Sequence, residues 1–268
     1  MRANRIVTLT SDFGLDDPFV GVVKGVILTI NPEANIIDLN HGVASHDIRE
    51  AAFTIGMNYR FFPERTVHVV IVDPGVGSRR RPILVVTERY YFVGPDNGVF
   101  SMIFEREKRD LKVVHITADQ YFLKVNSATF QGRDVFAPAA AWLTRGKDCR
   151  MFGETINDFV TLDLPVPVRM KGTLRGEIIH IDKFGNAMTN ICLPDIVDLT
   201  GRRHDGTLRI FLRDRVVPLK KYYGEAKSAT LHALVNSSEC LELFVNRAHA
   251  AKKFKISVGD PVEIKVTA

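Results

Sequence analysis

Cysteine is scarce in this chain of 268 residues. The three cysteines, Cys149, Cys192 and Cys240, are odd in number, lie far apart in the sequence and form no C-x-x-C motif. We therefore expect neither a disulfide framework nor a zinc site. The eight histidines show no H-E-x-x-H spacing, and no protein-bound metal is expected.

Long apolar runs are lacking as well. No run reaches the roughly 18 residues that a membrane-spanning helix needs. The first residues, "MRANRIVTLTSDFG", enter a strand-like alternation and contain no apolar core of a signal peptide. These absences favour a soluble cytoplasmic protein without a membrane partner.

A basic tract interleaved with aromatic residues is also missing. The net charge is +5, but Lys and Arg are scattered, and the densest run is only Arg79–Arg80–Arg81. A nucleic-acid-binding protein would concentrate such charge on one face. The distribution is more typical of a modestly basic enzyme, and no nucleic-acid partner is expected.

Two familiar nucleotide-binding loops are absent. The segment "VDPGVGSRRR" (72–81) contains two glycines, but it lacks the Lys-Ser/Thr of a P-loop. It also lacks the third glycine of a dinucleotide fingerprint. The segment therefore does not favour binding of a nucleoside triphosphate or NAD.

Strand-like and helix-like segments alternate in the first part of the chain. "RIVTLTS" (5–11), "NIIDLN" (35–40) and "TVHVVIV" (66–72) read as strands, and the last is largely apolar. Such a strand is typical of a parallel sheet that is covered on both faces. The pattern predicts an α/β layered domain with a mostly parallel sheet over residues 1–165.

Capping residues mark two helices between these strands. Asp17 is a suitable N-cap residue and Pro18 suits the first helical position of the first helix. Asp47 and Glu50 have the spacing of a capping box at the start of the second helix.

The pattern changes near residue 162. "LDLPVPVRMKG" (162–172) is proline-rich and resembles a linker. Short β-like runs separated by turn residues follow it. This pattern is typical of a small β-barrel or sandwich, and we predict a small β-barrel domain over residues 170–268.

The first three strands end in acidic or glycine-rich loops. The loops contain "SDFGLDD", "DLNHGVASHD" and "DPGVGSRRR", in chain order. Because ligands of open α/β sheets bind outside the carboxyl ends of the strands, these loops predict a ligand site at that edge.

Taken together, six motifs resemble one family. "TSDFGLDDPFVGVVKG", "FFPERTVHVVIVDPGVGSRRRPI", "FVGPDNGVF", "TFQGRDVFAPAAA", "IDKFGNAMTNI" and "VNSSECLELFVNRAHAA" occur in this order. The chain resembles the S-adenosyl-L-methionine (SAM) hydroxide adenosyltransferases, relatives of fluorinase and chlorinase, from about residue 5 to the C-terminus. The resemblance implies an N-terminal α/β domain, a C-terminal β-barrel domain and a homotrimer. It also implies a ligand held between the N-terminal domain of one subunit and the C-terminal domain of the next.

The resemblance implies that water attacks the ribose 5′ carbon of SAM and yields adenosine and methionine. Asp73 and Arg80 match the Asp and Arg of the family's Asp-Arg-His set. Fluorinase has a Tyr where this chain has Asp73, which points away from halide use. The third member departs from the pattern, because the chain has Gln131 where the family usually has His. Gln can donate and accept hydrogen bonds but cannot titrate.

The resemblance also implies binding residues. Asp17 matches the acid that accepts both ribose hydroxyls, although it could equally act as the helix cap. The other implied contacts, to the methionine and adenosine parts of the ligand, are Asp182, Asn186, Ser237, Asn246, Arg247 and His46. The family often has Gly where this chain has Glu239. No cofactor is implied, since SAM is the substrate.

Two further functions stay open on the sequence. A protein that binds SAM or adenosine without catalysis would explain the loss of the family His at Gln131. A halide-using adenosyltransferase is the third reading. Conversion of SAM to adenosine by the purified protein would separate the first reading from the second, and formation of 5′-chloro-5′-deoxyadenosine would reveal the third.

Overall fold

The computed structural model describes residues 4–124, 128–201, 208–227 and 229–266. It divides into two compact units, Met1–Asp163 and Leu164–Ala268. No helix in the described ranges is both long enough and apolar enough to cross a membrane.

The first unit is built on a seven-stranded sheet in the order β2-β1-β3-β5-β4-β6-β7. The strands are β1 Ile6–Ser11, β2 Asn35–Asn40, β3 Val67–Ile71, β4 Pro82–Val86, β5 Tyr91–Pro95, β6 Lys112–His115 and β7 Thr155–Ile156. The strands β2, β1, β3 and β5 pair in parallel, whereas β4 and β7 run against their neighbours. Five of the seven strands therefore share one direction, and the predicted mostly parallel sheet is confirmed.

Helices cover both faces of this sheet. They are α1 Phe19–Ile30, α2 Ile48–Asn58, α3 Ser101–Arg106 and α4 Ala137–Thr144, with a π-helical turn, Gly132–Phe136, directly before α4. Along β3, Val67 and Val69 pack in the cluster that contains α1 and α4 residues. Val70 packs in the cluster that contains α2 and α3 residues. The largely apolar run of β3, interrupted only by His68, thus reflects burial on both faces.

The two predicted helix starts had different outcomes. Asp47 caps α2 as predicted, since its carboxylate accepts a hydrogen bond from the backbone N–H of Glu50 at 2.9 Å. The predicted cap at Asp17 is wrong. Helix α1 begins at Phe19, and Pro18 occupies the N-cap position without a side-chain cap. Asp17 therefore lies one residue before the N-cap.

A histidine is buried in the middle of this sheet. His68 on β3 is fully buried, and its Nδ1 lies 2.7 Å from the Thr8 hydroxyl on β1. Its ring stacks on Phe92 at a centroid distance of 5.1 Å. Burial lowers the pKa of His68 from 6.5 to about 3, so the folded protein holds this imidazole neutral throughout the neutral and mildly acidic range.

Because His68 is buried in its neutral form, we expect the stability of the fold to decrease in acid. The unfolded state binds a proton near pH 6.5 and the folded state only near pH 3, so the free energy of unfolding falls as the pH drops between those values. We expect a loss of about 2–3 kcal/mol between pH 7 and 4.5, measured by urea denaturation. A His68→Phe protein should lack this part of the slope. Equal slopes in both proteins would contradict the assignment.

The second unit is an antiparallel sheet in the order β12-β11-β15-β9-β10-β14-β13, with β8 beside β9. Its strands are β8 Val168–Met170, β9 Thr173–Ile181, β10 Ala187–Cys192, β11 Leu208–Leu212, β12 Arg215–Val217, β13 His232–Val235, β14 Cys240–Phe244 and β15 Pro261–Val266. Just after β12, Leu219 bridges to Ala233 on β13. The two ends of the sheet thus meet, and the predicted small barrel is confirmed.

Two features of this unit differ from the sequence analysis. Cys192 and Cys240 form a disulfide, which was not expected from their separation of 48 residues. The pairing of β10 with β14 places Cys192 directly opposite Cys240, and chain spacing does not reveal this register. A helix, α5 Leu193–Thr200, was also missed, although Gly201 ends it in the left-handed conformation typical of a helix C-terminus. The second helix of the unit is α6 Ala250–Phe254.

Candidate functional site

The first unit contains a pocket of about 380 Å³ at the edge where β1, β2 and β3 end. Its walls come from the loops that follow these three strands and from the segment before the π-helical turn. The lining residues are Asp12, Phe13, Asp17, Phe19, Ser45, His46, Ile71, Asp73, Val76, Thr129, Phe130, Gln131 and Gly132. Adjacent strands of one direction end at the same edge, so residues far apart in sequence line a single cavity.

Asp73 and Arg80 form an ion pair beside this pocket. The Asp73 carboxylate accepts a 2.8 Å hydrogen bond from Arg80 Nε on one oxygen and a second bond from Nη2 on the other. The exposed fractions of the Asp73 and Arg80 side chains are only 6% and 9%. Such a bidentate, largely desolvated pair holds both groups in one orientation.

Arg80 retains one uncommitted donor. Among the described residues its buried Nη1 has no hydrogen-bond partner. The guanidinium lies over the Phe136 ring, with Cζ 5.3 Å from the ring centroid. A buried donor without a partner is costly, so the position of Nη1 is consistent with a bond to a ligand or a water molecule.

The glycine-rich turn between these residues makes the pair possible. Backbone bonds from Val76 N to Asp73 O and from Ser78 N to Gly75 O reverse the chain. Gly77 has φ +78°, and a Cβ there would lie 3.3 Å from the carbonyl oxygen of Ala128. Both observations favour glycine at this position.

Only one of the three consecutive arginines belongs to the site. Arg79 is exposed. Arg81 binds Asp96 at 2.7 Å and Asp158 at 2.8 Å, away from the pocket-lining residues. The "RRR" run therefore does not form a basic patch.

Gln131 lines the pocket at the start of the π-helical turn. In the part of the chain that the structure describes, its buried Oε1 accepts no hydrogen bond. The neighbouring Arg133 and Asp134 pair with each other at 2.6 Å. Gln131 is therefore the member of "QGRD" whose side chain stays available to a ligand.

Asp17 and His46 also line this pocket, and both are exposed. His46 has φ +68°, and its backbone N–H donates to Asp12 Oδ2 at 2.9 Å. The loops after β1 and β2 are thus joined at the pocket wall.

The sequence analysis missed Asp12 and three phenylalanines. Asp12 lines the pocket directly after β1, as Asp73 does near the end of β3. That shared position was the available signal. Phe13, Phe19 and Phe130 pack against one another with ring centroids 5.4–5.8 Å apart. They provide an apolar wall for the cavity.

The second unit contains a separate pocket of about 520 Å³. Its lining residues are Asp182, Phe184, Asn186, Tyr223, Val245, Asn246, Arg247, Ala248 and His249. Four of the sequence-predicted binding residues, Asp182, Asn186, Asn246 and Arg247, are brought together here.

Asp182 organises the β9–β10 turn at this pocket. Its Oδ1 accepts bonds from the backbone N–H groups of Phe184 and Asn186 at 2.9 and 2.8 Å. Its Oδ2 accepts from the Asn186 side-chain amide at 3.1 Å. Gly185 has φ +86°, and a Cβ at this position would clash with the ring of His249. Phe184 is left 68% exposed at the tip.

Ser237 is placed differently from the other predicted binding residues. It lies in the turn between β13 and β14 and is exposed, but it does not line the second pocket. Glu239, in the same turn, has φ +61°. This left-handed conformation is one that glycine adopts without strain.

Tyr223 lines the second pocket, and its hydroxyl donates to Glu242 at 2.7 Å. Burial, and then the hydrogen bond to Glu242, raise the pKa of Tyr223.

The described residues contain no group of three His, Cys, Asp or Glu side chains that could hold a metal ion.

Comparison with known proteins identifies similar chains over almost the full length. The family model for the SAM hydroxide adenosyltransferase N-terminal domain matches residues 7–153, and that for the C-terminal domain matches residues 176–263. A curated relative from Thermus thermophilus, an (R)-S-adenosyl-L-methionine hydrolase, is 33% identical over 97% of this chain and 99% of its own. The hydrolase of the same name from Methanocaldococcus jannaschii is 34% identical, over 97% and 95%.

A fluorinase from an Actinoplanes species is more distant, at 27% identity over 98% of each chain. A crystal structure of an uncharacterized conserved protein from Thermotoga maritima superposes with a TM-score of 0.89 at 34% identity. The superposition covers 97% of this chain and 99% of the other.

Proposed function

Because this chain belongs to the SAM hydroxide adenosyltransferase family, we propose that it hydrolyses SAM to adenosine and L-methionine. A bond forms between the water oxygen and ribose C5′ as the C5′–S bond breaks. The bonding electron pair stays on sulfur, so the sulfonium becomes the neutral thioether of methionine. The proton of the attacking water leaves to a base. No further cofactor takes part in this scheme.

The observation that carries the proposal is the Asp73–Arg80 pair with its unpartnered Nη1. Each carboxylate oxygen of Asp73 has a second lone pair with which it can accept from water. We assign Asp73 the task of orienting the water and taking its proton. Arg80 stabilises the hydroxide-like oxygen in the transition state.

Gln131 stands where the family usually has a histidine. Its unpartnered Oε1 can accept a hydrogen bond from the water, but an amide cannot take up its proton. Asp73 is then the base of this chain, and Gln131 only orients the water.

Substrate binding is assigned to both pockets. In the first, Asp17 binds the ribose diol and His46 lies against the ligand, while Asp12 is a second carboxylate on the same wall. In the second, Asp182 and Asn186 bind the methionine amine and the adenosine. Backbone groups of Asn246 and Arg247 meet the adenine edge. Ser237, in the β13–β14 turn outside the lining of this pocket, binds the methionine carboxylate.

We further propose that a homotrimer forms the complete site, with the first pocket of one subunit facing the second pocket of the next. An Asp17→Ala protein mixed with an Asn186→Ala protein should then recover part of the adenosine binding, because mixed trimers contain some intact sites. Isothermal titration before and after mixing measures this recovery. A monomer by light scattering, at concentrations where adenosine binds, would contradict the proposal.

The function itself is tested by incubating the purified protein with SAM and separating the products by chromatography. Equal amounts of adenosine and methionine are expected. Binding of SAM without turnover would favour the non-catalytic alternative, which Gln131 makes worth testing. Chloride-dependent 5′-chloro-5′-deoxyadenosine would indicate halide use instead.

A cytoplasmic location is part of the proposal, and fractionation of the source cells tests it.

A further inference from the structure

A line of four polar side chains runs from the surface of the first unit to Ser11, the residue directly before the pocket-lining Asp12. Lys24 Nζ lies 2.6 Å from Asp38 Oδ2, and Asp38 Oδ1 lies 3.0 Å from His41 Nε2. His41 Nδ1 lies 2.7 Å from the Ser11 hydroxyl. The His41 side chain is 6% exposed and Ser11 is 1% exposed, whereas the Asp38 side chain is 41% exposed.

The acidic end of the line defines the proton positions on His41. Burial alone would raise the pKa of Asp38, but hydrogen bonds from Lys24 and His41 outweigh it and hold that pKa below 3.8. The ionised carboxylate only accepts, so His41 Nε2 donates to it. In the neutral ring Nδ1 is then an acceptor, and the Ser11 hydroxyl donates to it.

These contacts hold the loop that follows β1. While donating to His41, Ser11 Oγ accepts from the backbone N–H of Phe13 at 3.3 Å. The carbonyl of His41 accepts from the backbone N–H of Gly14 at 2.8 Å. Both bonds flank Asp12, and the Asp12 carboxylate in turn accepts from His46 N on the next loop.

The Ser-His-Asp order resembles that of a nucleophilic triad, but two observations exclude that role here. Ser11 is 1% exposed, and it does not line the pocket. Its hydroxyl is also engaged on both sides, by His41 and by the backbone of Phe13. What reaches the pocket is the next residue, Asp12.

We infer that His41 is a positioning residue for substrate binding: through Ser11 it holds the Asp12 carboxylate in the orientation that contacts the polar part of the ligand. This inference rests on the proposed function and adds to it a residue outside the pocket lining. Its consequence is that His41 controls affinity for the nucleoside more than the rate of the chemical step.

Two amide substitutions at His41 distinguish the role of its Nδ1 from that of its Nε2. Asn reproduces the position of Nδ1 and so can still accept from Ser11, whereas Gln reproduces the position of Nε2 and reaches only Asp38. We expect His41→Gln to weaken adenosine binding about fivefold, the worth of one hydrogen bond. His41→Asn should stay within about twofold of the parent. KM for SAM should follow the same order, with kcat nearly unchanged.

Ser11→Ala provides a smaller change at the same contact. It should reproduce the loss seen in His41→Gln, and the double variant should be no weaker than either single one. In an Asp12→Ala background, His41→Gln should have no further effect on adenosine affinity. Thermal melts of each variant identify any that fail to fold.

The outcomes distinguish this inference from the proposed function. A parent protein that neither binds adenosine nor hydrolyses SAM overturns both. An active parent with a His41→Gln variant of equal affinity overturns the inference alone. Equal losses in the Asn and Gln variants, or full additivity with Asp12→Ala, would show that His41 has only a structural role.

Discussion

An Asp73→Asn protein is expected to hydrolyse SAM about 10²–10⁴-fold more slowly than the parent, the usual cost of losing a positioned base. Adenosine affinity should change little, because the amide has nearly the shape of the carboxylate. The negative charge is needed most in the transition state, when the water gives up its proton. Single-turnover hydrolysis with enzyme in excess measures the chemical step, and titration calorimetry with adenosine measures binding.

Asp158, which pairs with the neighbouring Arg81, offers a matched control. Asp158→Asn removes a carboxylate that pairs with Arg81 and is 80% exposed, so it repeats the chemical change outside the pocket. Its hydrolysis rate should equal that of the parent. If Asp73→Asn also retains the parent rate, Asp73 is not the base and the proposed mechanism is wrong.

A Gln131→His protein is expected to hydrolyse SAM roughly tenfold faster, which corresponds to about 1.4 kcal/mol off the barrier. The imidazole adds a titratable group with an ordinary pKa near 6.5. The positive charge of Arg80 favours the neutral form of this imidazole, whereas the negative charge of Asp73 favours the charged form. In either form it can donate to the carboxylate or the water, and when neutral it can also accept the proton. Adenosine affinity should be little changed.

The comparison is single-turnover hydrolysis in parent and variant from pH 6 to 9. An unchanged rate with an unchanged pH profile would place residue 131 outside the reacting cluster. Gln131 would then be a loop residue without a role in the reaction. An inactive parent whose activity the histidine restores would favour the non-catalytic binding protein as the natural function.

Much of the fold could be predicted because its signals are local. The largely apolar run of β3 indicated a strand buried on both faces, and its valines do pack into two clusters. Asp47 capped its helix because an N-cap needs only an amide three residues away. Asp17 does not cap its helix, since α1 begins one residue later than predicted and Pro18 is the N-cap residue. The α5 helix had local signals too, in Pro194 and Gly201, that were overlooked.

The candidate site was predicted only in part. The acidic loops after β1 and β3 pointed to the edge of the sheet where the first pocket lies, because parallel neighbours end together. Asp12 was missed, although it follows β1 directly. Ser237 matched the family motif, yet the structure places it outside the second pocket. Motif matching identifies a residue type at a position, whereas the direction of its side chain depends on the turn.

The sequence by itself determined the α/β and β-barrel classes, the family and the strand that ends near Asp73, because periodicity, turn residues and motifs are properties of contiguous segments. Only the tertiary structure decided which of three consecutive arginines binds Asp73, that Cys192 is bonded to Cys240, and that His41 reaches Ser11. Those contacts join residues 7 to 48 positions apart. They depend on how a turn reverses the chain and on which strands pair in which register. The free energy that selects this pairing comes from interactions over the whole sheet, so neither of the two contacting residues reveals it alone.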